Sequence, residues 1–146
     1  MPVLTVRQID HTAVICKDLA ATRHFYVEVL GMTEVPRPAF SFEGAWFEAG
    51  GTLVHAIAAH AESGPAGEVR DPAARASRTQ HTAFAVDDAV AAAEALRAAG
   101  VPIAAGPKGR PDGAAQTVVL DPDGYVVELV SETGGEKLAV DGGQSA

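Results

Sequence analysis

Apolar residues along this chain fall into short runs punctuated by glycine, proline and acidic residues, and the runs come in the same order twice. Residues 8–16 are largely apolar without strict alternation, the pattern of a strand covered on both faces. Asp18 follows as a helix N-cap. Leu19, Thr22, Phe25, Tyr26, Val29 and Leu30 then recur at helical spacing, and Gly31 stands where a left-handed residue ends a helix. Gly44 and Gly50-Gly51 separate further short runs at 32–36, 45–49 and 52–58 that read as strands. A stretch over 59–78 rich in Ala, Gly, Pro and Arg has the composition of a linker. The order then returns. A strand is predicted at 80–86, and a helix at 88–99 with Val90, Ala93 and Leu96 on one face, closed by Gly100 and Pro102. Strands follow at 101–105, 115–120 and 125–131, the last two joined by the turn Asp121-Pro122-Asp123-Gly124. Each half is thus predicted as β-α-β-β-β, and residues 132–146 as a flexible tail.

The two halves also begin alike. Ile9-Asp10-His11-Thr12-Ala13-Val14 is matched by Thr79-Gln80-His81-Thr82-Ala83-Phe84. His11 and His81 are 70 residues apart, as are the helix caps Asp18 and Asp88. A constant period means one supersecondary unit used twice, and equivalent positions in two such units converge on a pseudo-two-fold axis.

Composition narrows the partners. The 146 residues suit one compact domain or two half-domains sharing a core. Nineteen acidic against eleven basic residues give a net charge of −8, with no basic cluster, so nucleic acid and anionic membranes are unfavourable partners and a small molecule is the default. No apolar run approaches the roughly 20 residues of a membrane span. The opening MPVLTVRQ lacks the pattern of a signal peptide, and the single cysteine, Cys16, suits a reducing compartment, so a cytoplasmic protein is expected.

Candidate chemistry lies inside the strands. His55 interrupts the fourth strand of the first half, and Glu128 the fourth strand of the second half, 73 residues later. A polar group in an otherwise apolar strand must be paired or bound. His11 with His81, and His55 with Glu128, then occupy two sets of equivalent positions. Three imidazoles and one carboxylate around one axis suit Zn²⁺, Ni²⁺, Co²⁺, Fe²⁺ or Mn²⁺, with coordination positions left for substrate. His24, on the outer helix face, and His60, in the linker, are expected to be solvated.

These features resemble the vicinal oxygen chelate superfamily, the glyoxalase/bleomycin-resistance/extradiol dioxygenase group. The resemblance covers residues 8–131. It is carried by Ile9-Asp10-His11, the helix ending Phe25-Tyr26…Leu30-Gly31, Gly44-Ala45-Trp46 leading to Leu53-Val54-His55, His81-Thr82-Ala83-Phe84, and Asp121-Pro122-Asp123-Gly124…Glu128-Leu129. It implies an α+β domain of tandem βαβββ modules, at about 8–58 and 79–131 with a linker at 59–78, forming a cupped eight-stranded mixed sheet around one divalent metal ion. The metal-binding positions of the family correspond to His11, His55, His81 and Glu128. Glyoxalase I enzymes commonly carry glutamate at the position of His55, and this chain departs from them there. The resemblance also implies a homodimer, with the site built from one chain or from two.

The leading expectation is a metal-dependent isomerase or lyase of the glyoxalase type, acting through an enediolate on a small substrate with adjacent oxygens. Glu128 is the first candidate to move the proton and Glu48, which shares strand parity with Trp46, the second. Trp46 is expected to wall the pocket, and Arg37, Lys108 and Arg110, placed in loops, to bind an anionic group. The alternatives are an iron(II) extradiol-type dioxygenase, a thiol transferase of the fosfomycin-resistance type, and a non-catalytic small-molecule binding or resistance protein.

Overall fold

In the computed structural model, which describes residues 1–67 and 74–140, the strands fall into two four-stranded mixed sheets. The chain divides into two compact units, Met1–Gly67 and Glu68–Ala146. In the first unit come β1 (His11–Cys16), α1 (Leu19–Arg23), a π-helical segment (His24–Val29), β2 (Thr33–Val35), β3 (Gly44–Ala49) and β4 (Thr52–Ala58), with sheet order β1-β4-β3-β2. In the second come a 3₁₀ turn (Ala76–Arg78), β5 (Thr82–Ala85), α2 (Ala89–Ala98), β6 (Ala105–Gly109), β7 (Ala114–Leu120) and β8 (Val126–Gly134), in the order β5-β8-β7-β6. The first strand of each unit runs parallel to the fourth, and the other pairs are antiparallel. This is the α+β, β-α-β-β-β plan read from the repeat.

The same local chemistry starts both helices. Asp18 accepts from the amides of Ala20 and Ala21, and Asp88 from those of Val90 and Ala91. The first helix nevertheless departs from the single helix expected over 18–30. After Arg23 it widens into the π-helical segment, where the Leu30 amide donates to Phe25 O at 2.9 Å. The wider turn accommodates two consecutive buried aromatics: Tyr26 stacks on Phe47 with centroids 5.5 Å apart, and Phe25 meets Tyr26 edge-on. These rings, with Val14, Cys16, Ala45, Val54 and Ala56, fill the space between helix and sheet. Burying a ring of this size contributes about 1.5–3 kcal/mol. In the second unit, α2 is pinned to its sheet by two hydroxyls: Thr117 Oγ1 donates to Ala89 O at 2.7 Å and Ser131 Oγ accepts from the Ala89 amide at 3.0 Å. The turn before β8 forms as read, with Asp121 Oδ1 accepting from the amides of Asp123 and Tyr125.

Two boundaries differ from expectation. The sixth strand is Ala105–Gly109 rather than 101–105, because Gly106 and Pro107, which read as breakers, lie at a bulge on an edge strand where a missing amide is tolerated. Lys108 is therefore a buried strand residue and not a loop residue. The tail expected from 132 instead carries the end of β8, and beyond it Gly109 donates to Ala139 O at 2.8 Å and bridges Val140. Glycine permits this: a Cβ on Gly109 would strike Gly135 O, and one on Gly135 would strike Ala114 O. Residues 68–73 of the expected linker and 141–146 of the expected tail lie outside the described residues.

Candidate functional site

Strand register places the singled-out side chains. In the first sheet Ala13 lies opposite His55, and His11, two residues before Ala13, shares that face. In the second sheet Ala83 lies opposite Glu128, and His81, just before β5, shares the face in the same way. Each unit thus brings together two of the four expected ligands, His11 with His55 and His81 with Glu128, on the sheet face opposite its helix, whereas the sequence grouped His11 with His81 and His55 with Glu128.

In the first pair the rings of His11 and His55 stack with centroids 3.8 Å apart. Trp46, opposite His55 in the β3–β4 ladder, covers the other face of that ring at 4.1 Å and 2°. His11 Nδ1 lies 2.7 Å from Asp10 Oδ2, so the carboxylate holds the proton on Nδ1 and leaves Nε2 as the free acceptor. His55 Nε2 is buried and has no hydrogen-bond partner. Burial, followed by the neighbouring His11, holds the His55 pKa below its ordinary value; Asp10 opposes the shift and Arg37 adds to it. The ring is therefore neutral, the form that donates a lone pair.

In the second pair His81 Nδ1 lies 2.7 Å from Thr79 O. A carbonyl only accepts, so Nδ1 carries the proton and Nε2 faces outward. What it faces is Glu128 Oε1, 3.7 Å away, on a carboxylate only 4% exposed. A lone pair opposite a buried carboxylate oxygen needs positive charge between them or on the ring. Both histidines with an anchored Nδ1 have the supporting hydrogen bond typical of metal-ligating imidazoles, one from a carboxylate and one from a backbone carbonyl. Within the first unit, the His11 Nε2 lone pair and the orphaned His55 nitrogen are donors of the kind a divalent cation takes. Among the described residues no group of three or more His, Cys, Asp or Glu side chains is arranged to hold a metal; the groupings are the two pairs.

The other candidates are placed as follows. Glu48 is exposed on β3, on the Trp46 face. Arg37 is half-buried; its Nη2 donates to Phe42 O at 3.0 Å and its guanidinium lies 4.8 and 4.9 Å from the ring centroids of Phe40 and Phe42. Arg110 is forked onto Asp112, its Nε donating to Oδ1 at 3.1 Å, so most of its donor fork is taken. That bond and the charge of Glu128 raise the Arg110 pKa, and the Asp112 carboxyl is drawn down to about 2. His24 and His60 are exposed, but His60 also stacks on Phe42 at 5.1 Å. Sequence reasoning passed over Asp10 and Thr79, although both lie inside the repeated motif, and it passed over Phe40 and Phe42, whose only signal was a pair of rings following Arg37 in a loop.

Among the described residues no helix is long and apolar enough to cross a membrane. Comparison with known proteins places the chain in a family. A protein named Glyoxylase I 4 from Arabidopsis thaliana is 33% identical over 57 residues, a stretch covering 38% of this chain and only a third (33%) of that protein. The solved structure of a glyoxalase family protein from Bacillus anthracis covers 88% of this chain and 97% of its own length, with a TM-score of 0.69 and 26% identity. Lactoylglutathione lyase from Agrobacterium tumefaciens shares the fold, with a TM-score of 0.62, 21% identity, and coverage of 85% of this chain and 92% of its own. The family model described as Glyoxalase/Bleomycin resistance protein/Dioxygenase superfamily matches residues 8–129, and the chain belongs to that superfamily.

Proposed function

We propose that the chain is a divalent-metal-dependent enzyme of the glyoxalase type, an isomerase or lyase acting on a small substrate with two adjacent oxygens. The observation that carries this reading is the facing of His81 Nε2 and Glu128 Oε1, 3.7 Å apart with the carboxylate buried. His11, His55, His81 and Glu128 would hold the ion, drawing the two pairs from one chain or from two copies in a homodimer. When bound, the ion supplies Lewis-acid stabilisation of negative charge on the substrate oxygens.

The chain's own residues supply the rest. Glu128 removes the proton from the hydroxyl-bearing carbon and returns it to the neighbouring carbonyl carbon while the hydroxyl proton passes to the former carbonyl oxygen, completing an isomerisation without an added oxidant or reductant. Asp10 and Thr79 fix the tautomers of His11 and His81 so that each ring presents its Nε2 lone pair. Trp46, flat against His55, covers one face of that ring. Glu48, exposed on the Trp46 face, is the second proton carrier.

The test is metal analysis of the purified protein, followed by incubation of the loaded protein with candidate substrates in D₂O. Deuterium appearing at the substrate α-carbon supports the isomerase reading. Oxygen consumption with catechols and no deuterium incorporation would replace it with the dioxygenase.

A further inference from the structure

The segment ahead of β1 is apolar and uncovered, and the proposed chemistry does not use it. Val3, Leu4, Val6 and Ile9 expose 100%, 69%, 78% and 67% of their surface. With Met1 they make up five of the eight exposed large apolar side chains among the described residues. Such a stretch in water marks a contact surface. Val3, Thr5, Val6 and Ile9 are residues that favour strands, and the Leu53 amide donates to Asp10 O at 3.2 Å, so the segment leads directly into the β1–β4 ladder. Arg7 is the only charged side chain in residues 1–9, in a chain of net charge −8.

The second unit offers an edge that fits it. Among the described residues β5 pairs with β8 on one side only, and Ala83 and Ala85 on it are exposed. The other edges fit less well: the tail takes β6 at the Gly109–Val140 bridge, β2 is three residues long, and β1 is the strand the segment itself continues. Beside the end of β5 a cleft of about 360 Å³ is lined by Ala85, Asp87, Val130, Glu132 and Thr133, with both carboxylate residues exposed. Alternation aligns the two partners. Arg7 and Ile9 share a face at period two, as do Ala83, Ala85 and Asp87. In an antiparallel ladder with Arg7 opposite Ala85, Ile9 covers Ala83 and Arg7 is the diagonal neighbour of Asp87. Pairing two such segments with each other would bring only positive charge together, whereas this edge sets Arg7 against two acids. We propose that residues 3–9 are an exchange arm, which adds as a strand to the free β5 edge of a second copy of this chain, with Arg7 meeting Asp87 and Glu132, the second copy returning the same contact. The arm is independent of the metal centre proposed above.

The test is sedimentation equilibrium of metal-free protein. The parent chain should dimerise, and a variant lacking residues 2–8 should dissociate about tenfold or more readily. That variant should keep a cooperative melting transition, because every residue removed is exposed. Arg7→Glu and Asp87→Lys should each weaken the dimer about three- to tenfold, and the double variant, with the charges exchanged, should recover most of the loss. A monomeric parent, a dimer indifferent to loss of the arm, or a double variant no tighter than either single one overturns the proposal. Co-sedimentation of the parent with phosphatidylcholine vesicles, lost with the arm while the dimer persists, makes the segment a membrane anchor and overturns it equally. Metal content of the same preparations is a separate readout. A metal-binding monomer refutes the arm alone, and an arm-dependent dimer that takes up no metal refutes the metal enzyme alone.

Discussion

In the first sheet Ala13 lies opposite His55, and in the second Ala83 lies opposite Glu128, so one backbone plan carries an imidazole in one unit and a carboxylate in the other. The surroundings have diverged with them. His55 is held between two flat rings, in an aromatic neighbourhood that keeps it neutral. Glu128 lies opposite Val118 in the β7–β8 ladder, within the field of Arg110, and meets the anchored ring of His81. A duplicated module thus preserves where a donor stands and leaves its chemistry free to change. In the proposed centre one unit would contribute lone pairs, and the other the negative charge and the base.

Glu128→Gln tests that division with the largest effect. Solvent exchange at the substrate α-carbon should fall by about 10²–10⁴-fold. The metal-free variant should melt no lower than the parent protein, because an amide N–H can donate to His81 Nε2 where the carboxylate cannot. Exchange at the parent rate would remove Glu128 from the chemistry.

The packing of the two units is separated next. Phe47→Ala, which removes the ring under Tyr26, should cost about 3–5 kcal/mol in denaturant unfolding. Thr117→Val, which orphans the buried Ala89 carbonyl, should cost about 1–3 kcal/mol. A Thr117→Val effect as large as that of Phe47→Ala would mean that hydroxyl pinning, not packing, governs the second unit. Below these come the helix caps. Asp18 and Asp88 each accept from two amides, so alanine at either should cost about 1 kcal/mol, and a clear inequality would show that the short α1 depends on its π-helical extension more than on its cap.

The smallest effect concerns Asp112. Hydrogen bonds from Arg110, and then from the Ala114 amide, depress its pKa from 3.8 to about 2. The folded protein therefore binds fewer protons than the unfolded chain in that interval, so this contribution is complete above 3.8 and is lost as pH falls toward about 2. Asp112→Asn should flatten the acid limb of the stability profile there and leave stability at neutral pH almost unchanged, since the pair is solvent-screened.

The repeat made the backbone plan legible because capping, turn and strand signals are local. Asp18, Asp88 and the Asp121–Gly124 turn act within a few residues of themselves. The repeat offset singled out His11, His55, His81 and Glu128 as equivalent positions, but that His11 stands beside His55 and His81 beside Glu128 follows from the parallel register of first and fourth strands, which the offset does not give. What was hidden depends on distant partners. Gly106-Pro107 reads as a break unless the bulge and free edge around it are known, so β6 and the burial of Lys108 were displaced. Gly135 reads as fraying unless its approach to Ala114 and Gly109 is seen. Arg110 and Arg37 look alike as loop cations, but Asp112 two residues on occupies the first, while rings and a carbonyl hold the second.

The most direct measurement is bound metal per chain, by elemental analysis, for the parent protein beside His55→Ala and Glu128→Ala. Because one ion is taken to need donors from both units, each substitution should lower occupancy and abolish the rise in melting temperature on metal addition. Full occupancy retained in either variant would refute a centre shared by the two pairs.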